Sequence, residues 1–285
     1  MMEFTKAARN RCKIKMALQG ASGSGKTYSA LLMAYGLTGD WSKVAVIDSE
    51  NGSAHLYSAL GGYSVLNLIA PFTPEKYVEA LKTGVEKGFE CLIIDSLSAE
   101  WNGSGGILDI HGNIPGNSFT AWNKVTPRHN AFIQYLLQSN VHVIATMRTK
   151  TDYVMQEKNG KQVPEKVGLK ATQREDVEYE FTVVLEINQR HQATISKDRT
   201  GLFVNRPELA LNAEVGKEIA EWCNSTDTVK QSVPIAEIKE PTFEEKINAC
   251  VTVDELSQLF LNNPTYHFEY RDKFIRRNSQ LTVPA

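Results

Sequence analysis

Short, nearly unbroken apolar runs alternate along this chain with longer stretches in which apolar residues recur every three to four positions. The runs at residues 14–18, 43–48, 65–69, 91–95 and 141–146 are too apolar to lie half exposed, and they predict strands of a parallel sheet covered on both faces. Helical spacing between them predicts helices from Thr27 to about Gly36, from Thr73-Pro74-Glu75 to Gly88, and from about Phe119 to Ser139. Such alternation calls for an α/β fold with a mainly parallel central sheet flanked by helices, and with ligands at the carboxyl ends of its strands. The glycine-rich stretch from Trp101 to Gly116 predicts a mobile loop. Residues 148–174 lose periodicity and predict a long irregular loop or a hairpin insertion. Residues 181–187 and 192–197 then predict two strands that can pair antiparallel, and a short helix is expected around Glu214 to Cys223.

The expected organisation is an N-terminal arm (1–11), a core domain (12–223), a linker rich in Ser, Thr and Pro (224–241) and a small helical C-terminal region (242–285). Within that last region helices are expected at 243–249, 253–261 and 266–277.

One segment carries chemistry on its own. Gly20-Ala21-Ser22-Gly23-Ser24-Gly25-Lys26-Thr27 is the phosphate-binding loop G-x-x-x-x-G-K-[ST], set between a predicted strand and a predicted helix. Glycines Gly20, Gly23 and Gly25, with Ser22 and Ser24 between them, let backbone N–H groups turn inward around phosphate oxygens. Lys26 is expected to reach the β and γ phosphates and Thr27 to ligate Mg²⁺, with Tyr28 following on the helix whose positive dipole end faces the phosphates. The segment predicts binding of a nucleoside triphosphate, with ATP and Mg²⁺ as the cofactors.

Composition narrows the remaining choices. With 285 residues, 42% of them apolar, the chain can build a substantial core. No apolar run is long enough to span a membrane, and residues 1–6 lack the apolar stretch of a signal peptide, so a cytoplasmic protein with no membrane partner is expected. Cys12, Cys91, Cys223 and Cys250 lie far apart with no C-x-x-C pair, which argues against zinc and against a disulfide framework. A net charge of −2 argues against a generally basic nucleic-acid coat protein, but leaves room for a local basic groove.

Hydrolysis needs a carboxylate for Mg²⁺ and another group to orient the attacking water. Leu92-Ile93-Ile94-Asp95 ends a buried strand in an acid, which makes Asp95 the second candidate for the metal, directly or through water. For the water, Asp48, Glu50 and Glu100 all fall at strand ends or just past them, and spacing alone leaves the choice among them open.

Val46-Ile47-Asp48-Ser49-Glu50, Leu60-Gly61 and Leu92-Ile93-Ile94-Asp95-Ser96, taken together, resemble the ATPase core of the RecA-like recombinases. The likeness is nearest to the short phage-borne RecA-like ATPases, often called AAA-domain proteins, which assist recombination and single-strand annealing. It spans about residues 12–205. The resemblance implies that Glu50 polarises the water. It also implies that Lys197 and Arg199, in Ser196-Lys197-Asp198-Arg199-Thr200-Gly201, reach the γ-phosphate of a neighbouring subunit and so couple hydrolysis to assembly. At Thr146 and Arg148, which end the strand at 141–146, the resemblance implies a polar sensor of the γ-phosphate, and the glutamine that many of the recombinases have nearby is missing here. In the family, two loops hold single-stranded DNA, and the matching stretches are about 101–123 and 148–174. The second carries seven basic residues (Arg148, Lys150, Lys158, Lys161, Lys166, Lys170, Arg174) against three acids, with Tyr153 as a candidate stacking residue. Phe4 and Ala7 resemble the F-x-x-A tether by which some relatives dock on the next subunit.

The expectation is therefore a Mg²⁺-dependent, DNA-stimulated ATPase of RecA-like type. It would act on single-stranded DNA in phage-type recombination or annealing, assemble into a ring or filament, and pair with a single-strand-binding or annealing protein. A replicative helicase or helicase-loader ring is one alternative, and a small-molecule kinase with residues 148–174 as a substrate lid is another. A GTPase fits poorly, because Asn123-Lys124-Val125-Thr126 lacks the aspartate needed to read guanine, and no L-S-G-G-Q signature of a transporter ATPase occurs.

Overall fold

A computed structural model describes residues 12–158, 161–225, 242–266 and 268–282; for 151–158 and 161–169 it describes the backbone alone. Phe4 and Ala7, residues 226–241 of the expected linker, and the side chains of Tyr153, Lys158, Lys161 and Lys166 lie outside the described residues. The chain divides into two compact units, residues 1–226 and 227–285.

In the first unit the elements follow in chain order: β1 (Lys15–Gly20), α1 (Lys26–Thr38), β2 (Val44–Asp48), β3 (Ser64–Asn67), α2 (Pro74–Glu86) and β4 (Cys91–Asp95). Next come α3 (Ser98–Asn102), α4 (Ile107–Gly112), α5 (Ser118–Gln138), β5 (His142–Lys158), β6 (Lys161–Ala171), β7 (Val183–Ile187), β8 (Ala193–Asp198) and α6 (Ala213–Asn224). The sheet order is β3-β2-β4-β5-β1-β7-β8, with β6 paired to β5. Five of its neighbour pairs are parallel; β7–β8 and β5–β6 are antiparallel.

Strand alternation divides the core into two layers. Met16, Leu18, Val44, Val46, Cys91 and Ile93 point to the layer that also holds residues of α1 and α6. Their neighbours Ala17, Ala45, Ile47, Leu92 and Ile94 point to the layer that holds residues of α2 and α5. Both faces are therefore dry, which is why these runs read as continuously apolar. Helices α1 and α6 approach so closely that a Cβ on Gly36 would sit 2.0 Å from the Ala213 carbonyl oxygen, and one on Gly216 would sit 2.3 Å from that of Met33.

Two stretches depart from expectation. The glycine-rich segment 101–116 holds the last two residues of α3 and the whole of α4 rather than one continuous loop. Gly103 and Gly106 pack there against backbone carbonyls that a side chain would strike, so these glycines serve close packing and not mobility. Residues 148–174 form the hairpin alternative: β5 runs past the sheet edge and turns back as β6, pairing from Thr149–Ala171 out to Lys158–Lys161.

The second unit contains α7 (Phe243–Ala249), α8 (Val253–Leu261) and α9 (Arg271–Thr282), packed around Ile247, Leu256 and Phe274. Capping boxes at Thr242/Glu245 and Thr252/Glu255 start α7 and α8. The third helix begins later than its apolar spacing predicts, because Pro264–Tyr266 forms a separate 3-10 turn. Among the described residues no helix is long and apolar enough to cross a membrane.

Candidate active site

The carboxyl ends of β1, β2, β4 and β5 converge on a cleft of about 920 Å³. The phosphate loop forms its floor. β1 ends at Gly20 and α1 starts at Lys26, and between them Gly23 (φ 79°) and Gly25 (φ 90°) take left-handed backbone that side-chain-bearing residues avoid. Gly20 is confined differently: a Cβ there would meet the Ile187 carbonyl oxygen at 2.6 Å. The β7–β8 turn braces the loop, with Gln189 Nε2 donating to the Ser22 carbonyl (3.2 Å) and His191 Nδ1 lying 3.0 Å from the Ser24 carbonyl oxygen.

Lys26 Nζ donates to the carbonyls of Gly20 (2.9 Å) and Ala21 (2.8 Å), folding back over its own loop. Burial pushes its pKa down, against the opposing pull of the Asp95 and Glu50 charges. Thr27 Oγ1 donates to Asp95 Oδ2 at 2.7 Å, and Thr146 Oγ1 donates to the other oxygen, Oδ1. Thus three residues from separate segments meet at one carboxylate. Burial raises the Asp95 pKa, the two hydroxyl bonds hold it back, and the charges of Glu50 and Asp48 add to the rise.

The structure separates the three carboxylates that spacing left open. Asp48 is buried and accepts from the backbone N–H groups of Glu50 (2.7 Å), Gly52 (3.3 Å) and Ala54 (2.8 Å), so it shapes the turn after β2. Glu100 is fully buried beside His129 Nδ1 (3.0 Å) and Gln173 Nε2 (3.3 Å). Glu50 lines the cleft. Its Oε1 accepts from Ser96 Oγ (2.7 Å) and Arg148 Nε (2.8 Å), and its Oε2 from the second nitrogen of the Arg148 fork. Burial alone would raise its pKa, but those hydrogen bonds and the Arg148 and Lys26 charges hold it below the usual carboxylate range.

Arg148 and Ser96 are therefore part of the site. The sequence puts Arg148 at the end of the sensor strand but carries no sign of its bidentate partner, and the one signal for Ser96 is its position directly after Asp95. Tyr57 also lines the cleft, its ring edge-on to that of Tyr28 at 5.7 Å. Lys197 and Arg199 stand apart from this cleft. Lys197 Nζ and Arg199 Nη2 both donate to the Tyr179 carbonyl, the latter at 3.1 Å.

The residues present fit a Mg²⁺-bound triphosphate. Ser22, Gly23, Gly25 and Lys26 of the phosphate loop line the cleft, and the Thr27 hydroxyl and the Asp95 carboxylate, both suited to a hard cation, already touch.

A family model described as an AAA domain matches residues 12–223. The chain therefore belongs to the AAA-domain family of P-loop ATPases, proteins that bind ATP with Mg²⁺ and hydrolyse it. Among curated proteins no match is found.

Proposed function

We propose that this protein is an ATPase that works on single-stranded DNA in recombination or annealing, as an assembly of several copies. The observation that carries the ATPase half is the convergence in one cleft of the Lys26 ammonium, the Thr27–Asp95 pair and the Glu50 carboxylate. The loop amides and Lys26 hold the β and γ phosphates, and Thr27 and Asp95 hold the cation. Bound there, Mg²⁺ would neutralise charge on the phosphate oxygens. Glu50 orients the attacking water, and Ser96 fixes the carboxylate's rotamer. A carboxylate saturated by Arg148 is a poor acceptor for water, so the guanidinium leaves Glu50 when a terminal phosphate, more highly charged, competes for it. Tyr57 offers an aromatic face for the base.

The DNA half is supported by charge. Residues 148–174 carry +4 in a chain of −2, and this stretch is the hairpin that grows directly from β5, the strand whose Thr146 and Arg148 contact Asp95 and Glu50.

The test is ATP turnover with and without single-stranded DNA, in the wild type and in Lys26→Ala. Turnover stimulated several-fold by single strands and abolished in the variant supports the proposal. Stimulation only by a small acceptor molecule, with the γ-phosphate transferred to it, would overturn it in favour of a kinase.

A further inference from the structure

Cys12 and Cys223 stand 211 positions apart in the chain, and the fold sets them side by side. Cys223 lies in the last turn of α6, where backbone carbonyls have no partner within the helix. Its carbonyl oxygen is taken instead by the segment that leads into β1: the Cys12 N–H donates to it at 3.1 Å, and the Cys12 Sγ lies 3.8 Å from the same oxygen. A direct backbone bond of this kind holds two Cα atoms about 5–6 Å apart, as it does in a sheet. A disulfide needs a separation of about 4.4–6.8 Å.

The thiols are neighbours as well. Cys223 belongs to the buried layer that holds residues of β1, α1 and α6, and Cys12 packs against that layer. Burial pushes the Cys223 thiol up to about 12, and the Cys12 thiol beside it adds to the rise. Cys12 itself is half-buried, which leaves it open to a reagent. All four cysteines are free thiols, but the other two are placed differently. Cys91 is fully buried in β4, and Cys250 sits in the second unit with its Sγ donating to the Lys246 carbonyl (3.3 Å).

We propose that Cys12 and Cys223 are a redox pair, which a low-molecular-weight disulfide such as oxidised glutathione converts into a disulfide bond between the entry to β1 and the end of α6. The Cys12 thiol loses its proton and attacks one sulfur of the reagent; the reagent's S–S bond breaks, its other half leaves and takes up a proton, and Cys12 carries a mixed disulfide. The Cys223 thiol then loses its proton and attacks the Cys12 sulfur, expelling the second half of the reagent as a thiol. Two protein thiols are thereby oxidised by two electrons, and one reagent disulfide is reduced to two thiols. The bond closes a loop that spans nearly the whole first unit, so it removes freedom from the unfolded chain at close to the most this unit allows. It also fastens α6, the helix packed on α1, whose first residues are Lys26 and Thr27.

The experiment incubates the full chain with oxidised glutathione, alkylates the remaining thiols under denaturing conditions and maps the peptides by mass spectrometry, with thermal unfolding followed in parallel. The proposal expects alkylation at Cys91 and Cys250 alone, where the untreated chain is alkylated at all four cysteines, and a linked pair of peptides that contain Cys12 and Cys223. The unfolding midpoint rises by about 5–10 °C, and dithiothreitol reverses both changes. Cys12→Ser, a change outside the fully buried core, forms no link and gains no stability from the reagent, whereas Cys250→Ser still forms the link. Binding of a fluorescent ATP analogue to each variant reports an intact fold. Four free thiols after incubation, a glutathione adduct on Cys12 that goes no further, or links that involve Cys91, Cys250 or a second chain would overturn the pairing.

Discussion

Glu50 and Asp48 lie two residues apart in one strand-end segment, and their fates differ because of which way the backbone turns between them. Asp48 points back into the turn and satisfies three amides, whereas Glu50 points out into the cleft. Glu50→Gln is therefore expected to lower kcat by about 10²-fold or more while leaving thermal stability and ATP affinity close to wild type. Asp48→Asn, which sets an amide donor against backbone donors, is expected to destabilise the fold by about 1–3 kcal/mol, read by denaturant unfolding. The opposite pattern, an unstable Glu50 variant and a stable, inactive Asp48 variant, would exchange their roles. The phosphate loop was legible in the sequence because its geometry is local, needing only glycines and a lysine in consecutive positions. The clamp on Glu50 was not: Arg148 is 98 positions away, and no periodicity pairs a strand-end arginine with one particular carboxylate.

At the level of elements, the central strands were legible because burial on both faces leaves an unbroken apolar run, and α2 because Thr73-Pro74-Glu75 supplies a cap, an N1 proline and an acid in the first turn. The glycines misled. Gly103 and Gly106 look like hinges in one dimension, yet they lie where α3 and α4 pack tightly, and composition does not distinguish a glycine that frees the chain from one that lets it approach a neighbour. Gly36 and Gly216 are the clearest instance of the second kind. Gly36→Ala would press a methyl into the Ala213 backbone, which has no rotamer to give. It is expected to cost about 1–3 kcal/mol and to lower the midpoint of thermal unfolding, despite alanine's higher helix propensity. Gly112→Ala, with nothing within 4 Å of its Cβ, is the control and should leave stability unchanged or slightly raised. Equal effects at the two positions would mean that α1 and α6 do not pack as closely as they do here.

For the whole molecule, the open matter is what Lys197 and Arg199 do. In the isolated chain both are turned onto the Tyr179 carbonyl, away from the cleft that holds Glu50 and Lys26. A cation that rests on a neutral carbonyl oxygen near the surface gives up little by exchanging it for a phosphate, and under the proposed assembly that phosphate would be the γ-phosphate held by a neighbouring copy. Contact of that kind would be head-to-tail, each interface joining the Glu50 of one subunit to the Arg199 of the next. Complementation tests it. Arg199→Ala and Glu50→Gln should each be inactive alone, while each still binds nucleotide. Mixed in equal amounts and allowed to exchange, they should regain about a quarter of wild-type turnover, since one interface in four then pairs an intact carboxylate with an intact arginine. Activity in Arg199→Ala alone would place the arginine outside the reaction, and a mixture as inactive as its components would confine any role it has to its own subunit.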